Sequence, residues 1–466
     1  MKYILGILLS ILIIYLLLLL LLRDGQSNLS FETSELNNIP LKVPTGFLWG
    51  TATSSHQAEG NSNNNNWFLF ESEKDNTGKP RIKEGQKAGI AADHWNRYKE
   101  DIKLMKSLGV NAFRFSVEWS KIEPQEGVFD ESALDHYEEV VDELKASGIE
   151  PVITLHHFTN PIWFEKKGAF EEDNSPNVFA RYISKVVKRL NKKVEYWITV
   201  NEPTVYAFNG YFFGEFPPAE KNMDKAALVF RNILIAHSEA YLAIKQINLN
   251  AKVGIATAIY AFDPNSWWNI ADVVGAYYAN RNMNEEVLDY ITNGRFDFYF
   301  PTISKLEYQS DVINSFDFVG VNYYTRFVIR FNPFNDKSYQ EVKQTFAEYK
   351  TDMNWEIYPE GLYRALKQVS TFTNKPIFIS ENGIADDGDT KRPSFIKNHL
   401  LVMNKAIADG MNVKGYFYWT LMDNFEWAQG FSKRFGLYKV DFNTQERILR
   451  EGSKVYPEMI KKFTEY

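Results

Sequence analysis

Cysteine is absent from the 466 residues. That excludes disulfides, thiolate metal ligands and a cysteine nucleophile, and it leaves the redox compartment open. Basic charge is not in excess either. The 59 Asp and Glu outnumber the 52 Lys and Arg, for a formal net charge of −7. With no basic stripe, a nucleic-acid partner is not expected. From Phe47 onward there is no internal repeat, no second linker and no block of like charge. The asparagine run at 63–66 is too short for a low-complexity domain and reads as an exposed loop. By length the chain holds one large domain or two ordinary ones.

What is present begins with an apolar N-terminus. Residues 4–22 form 19 consecutive positions without a charge, mostly Leu and Ile. That length spans a hydrocarbon core as a helix. A cleaved signal has a shorter apolar run and a small-residue cleavage site, whereas this run ends Leu21-Leu22-Arg23-Asp24. An uncleaved transmembrane anchor over 1–22 is expected, followed by a polar linker over 23–45 and a catalytic domain over 46–466. Lys2 and the terminal amine flank one side and Arg23 the other, so the positive-inside rule barely discriminates. The orientation taken is a single pass with the catalytic domain on the extracytoplasmic side. Oligomeric state is left open.

Eight apolar β-like runs follow, near 47–54, 112–119, 150–158, 195–202, 252–260, 317–325, 375–383 and 413–423. Segments such as 93–108 and 130–147 between them have helical apolar spacing and end at Gly109 and Gly148, suitable C-cap glycines. Near-continuous apolar strands separated by helices predict a parallel sheet covered on both faces. A count of eight favours an α/β fold of the (β/α)₈ TIM-barrel type over an open doubly wound sheet. Polar and aromatic residues gather at the C-terminal ends of these runs: His56-Gln57, Glu118-Trp119, His156-His157, Asn201-Glu202, Asn322 with Tyr324, and Glu381-Asn382. Barrels of this kind build their active sites at that end.

Two of those ends carry the chemistry. Thr199-Val200-Asn201-Glu202-Pro203 and Ile379-Ser380-Glu381-Asn382-Gly383 each place a glutamate after an apolar run. Two carboxyl groups converging from different strands are what acid-assisted cleavage of a glycosidic bond requires. Pro203 disfavours the α region at Glu202, so an extended turn is expected there. A general acid holds its proton near neutral pH if its surroundings are apolar or a second carboxylate is close. Glu381 is the nucleophile candidate and needs a cation or donors; Arg114 and Tyr324 are the available ones. A charge inside Ala112-Phe113-Arg114-Phe115 is costly unless paired, with Glu381 or, as an ordinary ion pair, with Glu118. Trp419, Glu426, Trp427 and Phe435 combine a carboxylate with aromatic faces, a sound way to hold a pyranose, although each ring taken singly reads equally well as core. Gln57 and His157 are further candidates for sugar contacts.

These residues sit in motifs that resemble glycoside hydrolase family 1, the β-glucosidase family. The resemblance covers about 47–457, through FLWGTATSSHQAEG, FRFSVEWSKIEP, TVNEP, DFVGVNYYT, TDMNWEIYPEGL, ISENG and YFYWTLMDNFEWAQGFSKRFGLY. It implies a barrel and hydrolysis with retention, with Glu202 aligned to the family's acid/base and Glu381 to its nucleophile. It carries sugar binding to Gln57, His157, Asn201, Glu426 and Trp427, and a stacking role to Trp419. Asn322 and Tyr324 match the pair beside the nucleophile, and Trp355 the aromatic platform of the leaving-group subsite. Three departures stand out. His157-Phe158-Thr159-Asn160-Pro161 replaces a His-Trp-Asp-Leu-Pro run, Lys121 stands where Arg is usual, and Asn354 where Gly is common.

The expected activity is a β-glucosidase acting on terminal, non-phosphorylated β-glucosyl groups of a small glucoside or oligosaccharide. The two carboxyls are expected about 5–5.5 Å apart. No metal and no cofactor are called for. Two rivals are a transglycosylase passing the sugar to another sugar or a glycolipid, and a non-catalytic, membrane-tethered sugar-binding protein. Binding alone needs neither glutamate.

Overall fold

The computed structural model describes residues 2–22, 29–300, 303–332 and 339–465. Arg23 and the first part of the expected linker lie outside them. Eight parallel strands close into a barrel: β1 (Leu48–Ala52), β2 (Ala112–Ser116), β3 (Glu150–Thr154), β4 (Tyr196–Asn201), β5 (Lys252–Ala258), β6 (Phe318–Asn322), β7 (Ile377–Asn382) and β8 (Val413–Trp419). Each neighbours the next in chain order, and β8 closes on β1 with Gly50 opposite Phe417. All eight coincide with the apolar runs of the sequence.

The strands are apolar throughout because both faces are buried. Ala112, Val152, Ile198, Ala256, Phe318, Phe378 and Phe417 fill the barrel interior. Phe113, Phe115, Trp197, Val200, Ile255 and Tyr416 face the surrounding helices. The helices His94–Ser107 and Glu131–Ala146 end as expected, with Gly109 and Gly148 at φ of +72° and +73°. Asp130 caps the second by accepting from the backbone N–H groups of Ser132 and Ala133.

Short strands outside the barrel were not legible in the sequence. Arg295–Phe300 pairs with Ser304–Gln309; Ala261–Pro264, Arg326–Phe331 and Tyr339–Glu341 form a small sheet; Tyr438–Asp441 pairs with Glu446–Leu449. These ribbons are short and mix charges with apolar residues, so they give little periodic signal.

Residues 29–45 run against the barrel's outer layer. Leu36 is buried there, Phe31 packs edge-on against Tyr363, and Asn404 bonds the backbone of Lys42 and of Pro40. Before them, the helix Lys2–Leu22 exposes most of its apolar side chains. Such a helix fits a membrane anchor or a signal sequence alike. The other helix of comparable length and apolarity among the described residues, Met223–Ile247, is largely buried in the fold.

Candidate active site

Both glutamates reach the barrel mouth through an irregularity in their strand. Register slips between Ile198 and Asn201 on β4, and between Ile379 and Glu381 on β7. Strict alternation from Ile198 would turn Asn201 outward. Instead Val200 joins the outer core and Asn201 faces in. On β7 Ser380 faces inward by alternation from Phe378, and the slip brings Glu381 inward beside it. Asn382 faces out, where it bonds the Tyr323 carbonyl and accepts from the Tyr416 hydroxyl. Bulges re-aim side chains in this way at functional sites.

Glu202 corrects one expectation. Its backbone is not extended but left-handed, at φ 47° and ψ 64°. Its N–H donates to the Ala256 carbonyl on β5 while its own carbonyl already accepts from Tyr206, in the helix Pro203–Phe208. A residue that ends a strand and opens a helix within one step is forced into a turn. Pro203 disfavours the right-handed α region for that turn. Left-handed backbone costs roughly 1–2 kcal/mol here and is the kind of strain that functional positions retain.

The two carboxyls have different company. Glu381 accepts from Arg114 Nη1 at 2.5 Å on one oxygen and from the Tyr324 hydroxyl at 2.6 Å on the other. Arg114, buried, also donates to the Ser380 carbonyl at 3.0 Å, to Thr154 Oγ1 at 3.1 Å and to Asn201 Oδ1 at 2.6 Å. Its partner is therefore Glu381; Glu118 is held instead by Ser55, Ser120 and Thr159. Glu202 accepts one hydrogen bond from Asn322 Nδ2, at 2.9 Å. Burial, and after it the charge of Glu381, pushes the Glu202 carboxyl up to about 8. One carboxylate is gripped by a cation and a phenol, and the other keeps its proton.

The remaining candidates surround this pair. Asn201 Nδ2 lies 3.2 Å from His157 Nε2. The His157 ring stacks between Trp419 and Trp427, with centroids 5.8 and 5.9 Å away. Burial holds that imidazole neutral, with the Arg114 charge acting in the same sense. Gln57 Nε2 donates to Glu426 Oε2 at 3.1 Å. Burial and then the Glu381 charge raise Glu426 to about 8. Across the mouth, Trp355 meets Tyr324 at 5.5 Å and Phe435 at 6.2 Å. The candidates for chemistry and sugar contact thus lie in one connected constellation, whereas Asn382 faces out and Glu118 is held elsewhere. No group of His, Asp and Glu suited to a metal occurs among the described residues.

A family model described as Glycosyl hydrolase family 1 matches residues 40–464. The chain belongs to glycosyl hydrolase family 1. As such it is a glycosidase, with glycoside substrates. It is 34% identical to Beta-glucosidase A of Thermotoga maritima over 90% of this chain and 98% of that one. It is 31% identical to a 6-phospho-beta-galactosidase of Clostridium acetobutylicum over 87% of this chain and 94% of that one. Among solved structures, a beta-glycosidase from Pyrococcus horikoshii shares 41% identity and a TM-score of 0.82, covering 91% of this chain and 96% of that one.

The three departures from the family motifs are accommodated locally. Asn354 sits at φ +62°, a left-handed position where Gly is at ease and Asn is the best-tolerated alternative. Lys121 bonds Glu59 and the Gly60 carbonyl and lies over the Trp95 ring. Phe158 packs against Trp427 at 5.2 Å and Phe216 at 5.6 Å, so an aromatic ring still stands where the family motif commonly has Trp. Sequence reasoning missed Thr154, Ser54 and Ser380, which hold Arg114, Gln57 and Asn322. A lone hydroxyl carries no pattern that singles it out.

Proposed function

We propose that this chain is a retaining β-glucosidase that releases terminal, non-phosphorylated β-D-glucosyl groups, with Glu381 as nucleophile and Glu202 as acid/base. The single observation that carries it is the asymmetry of the two carboxyls. Arg114 and Tyr324 both bind Glu381, whereas Glu202 has only an amide N–H and a buried setting. Glu381 attacks the anomeric carbon as the glycosidic C–O bond breaks, and the leaving oxygen takes the Glu202 proton. Glu202, now ionised, removes a proton from water, whose oxygen displaces the Glu381 carboxylate from that carbon. Asn201 bonds the sugar 2-hydroxyl, a contact that strengthens in the transition state. Gln57, His157, Glu426 and Trp427 bind the remaining hydroxyls. Trp419 stacks under the ring, and Trp355 with Phe435 receives the leaving group.

The preference for a non-phosphorylated sugar rests on charge. Arg114 is committed to Glu381 and Asn201, and an ionised Glu426 repels a 6-phosphate. The helix Lys2–Leu22 serves as a single-pass anchor, with the catalytic domain on the extracytoplasmic side. The test is hydrolysis of a panel of aryl β-glycosides, with the product anomer followed by NMR. Release of the β-anomer from the glucoside, lost in Glu381→Gln, is the expected result. Release of the α-anomer, normal turnover in Glu381→Gln, or faster cleavage of the 6-phosphate would each defeat the corresponding part.

A further inference from the structure

Ser380 lies one residue before Glu381 and plays no part in the chemistry outlined above. It is buried and faces inward two positions after Phe378, and the β7 slip brings Glu381 to the same side. Its hydroxyl donates to Asn322 Oδ1 at 2.7 Å. The other end of that amide, Nδ2, meets Glu202 Oε1 at 2.9 Å and Asn201 Oδ1 at 3.0 Å.

The orientation of the amide is fixed by donors and acceptors. Arg114 carries only donors, so the Asn201 atom 2.6 Å from its Nη2 is the amide oxygen. The Asn322 atom facing that oxygen is then the nitrogen, and the Asn322 oxygen must point the other way, at Ser380. Space for the hydroxyl comes from β6. A Cβ on Gly320 would stand 2.6 Å from Ser380 Oγ and 3.1 Å from Ala256. Gly320 is two positions before Asn322 on one strand, so both face the same side. A missing side chain at one position thus admits the hydroxyl that holds the other.

We propose that Ser380 is a positioning residue, holding the Asn322 amide so that its N–H, and not its carbonyl, faces Glu202. The proposal rests on Glu202 being the acid/base. An N–H aimed at a carboxyl favours its ionised form. That form is the base of the second half-reaction, so burial would otherwise leave Glu202 too reluctant to give up its proton. Ser380 thereby joins the strand of the nucleophile to the proton donor on the facing side of the barrel.

The experiment compares Ser380→Ala, Ser380→Thr and Gly320→Ala in the full chain with two substrates: an aryl β-glucoside with a poor leaving group, for the pH profile of kcat/KM, and an activated one, for which breakdown of the glycosyl-enzyme limits turnover, for kcat. In Ser380→Ala the basic limb of kcat/KM moves up by about one pH unit, the size of one such hydrogen bond, and kcat falls about tenfold. Ser380→Thr keeps the hydroxyl and returns both toward the parent. Gly320→Ala pushes the hydroxyl aside and behaves like Ser380→Ala. An unmoved limb and unchanged kcat in Ser380→Ala, even with a lower Tm, would make Ser380 merely structural and overturn the proposal. Glu202→Ala, assayed beside them, separates the two ideas. If it retains the limb and ordinary turnover, the assignment of Glu202 falls. If it loses the limb while Ser380→Ala behaves as the parent, only the role of Ser380 falls.

Discussion

Arg114 and Glu381 stand 267 positions apart in the chain, and their side chains meet at 2.5 Å in the buried mouth of the barrel. Neither is tolerable there without the other. An unpaired guanidinium buried inside the barrel mouth would be strongly penalised, and so would an isolated carboxylate.

Removing the cation therefore has two effects. Arg114→Met leaves a buried carboxylate uncompensated, and urea denaturation is expected to show a loss of about 3–5 kcal/mol. Turnover should also fall by orders of magnitude, because the Glu381 carboxylate loses the Nη1 hydrogen bond that orients it. A variant as stable and as active as the parent at neutral pH would contradict the pairing.

Glu202 makes both activity and stability depend on pH, with opposite uses of the same shift. Its carboxyl is raised from an ordinary 4.5 to about 8 in the folded protein. In its proposed role as proton donor it works below that value, so kcat/KM for a substrate with a poor leaving group should decline as pH rises through about 8. For stability, the folded state binds the proton more tightly than the unfolded chain. Stability contributed by the protonated group is then full below about 4.5 and is lost as pH rises toward about 8. Glu202→Gln cannot ionise, so its Tm should exceed the parent's at pH 8–9 by more than at pH 5. Equal differences at the two pH values would remove Glu202 as the source.

Glu426 offers a test of sugar selection that uses pH as the switch. Burial and the charge of Glu381 raise it to about 8. A sugar 6-phosphate is fully charged by then, so repulsion grows as Glu426 ionises. The ratio of kcat/KM for an aryl glucoside to that for its 6-phosphate should widen above about pH 8 in the parent and stay flat in Glu426→Gln. Above that pH the same substitution should lower kcat/KM for the glucoside about 10- to 100-fold, as expected for one hydrogen bond to a charged group. A flat ratio in the parent would assign the preference elsewhere.

The N-terminal residues divide into two parts with different consequences. Deleting 1–28 removes the exposed helix and should leave Tm and kcat/KM unchanged while abolishing co-sedimentation with membranes. Deleting 1–45 also strips Leu36 from its buried site and both Asn404 hydrogen bonds. A further loss of about 2–4 kcal/mol is expected, from one buried leucine plus two hydrogen bonds. Equal stability of the two truncations would make the packing of 29–45 energetically idle.

The eight barrel strands and both glutamate motifs were legible in the sequence because local pattern determines them. A doubly buried strand must be apolar throughout, and chemistry-bearing residues cluster where such runs end. Even the identity of Arg114 as a paired charge follows from its apolar neighbours. Facing was not legible. Simple alternation along β4 and β7 points Asn201 and Glu381 the wrong way, and only the register slips against β5 and β6 bring them inside. The left-handed turn at Glu202 likewise depends on β5, whose Ala256 carbonyl anchors its N–H. Ser380 and Gly320 have no local signature, since one is a hydroxyl and the other an empty space, each meaningful only beside the other. Which residues could do the chemistry was thus written in the chain. Which way they point, and which carboxyl keeps its proton, was decided by neighbours that only closure of the barrel brings within hydrogen-bonding distance.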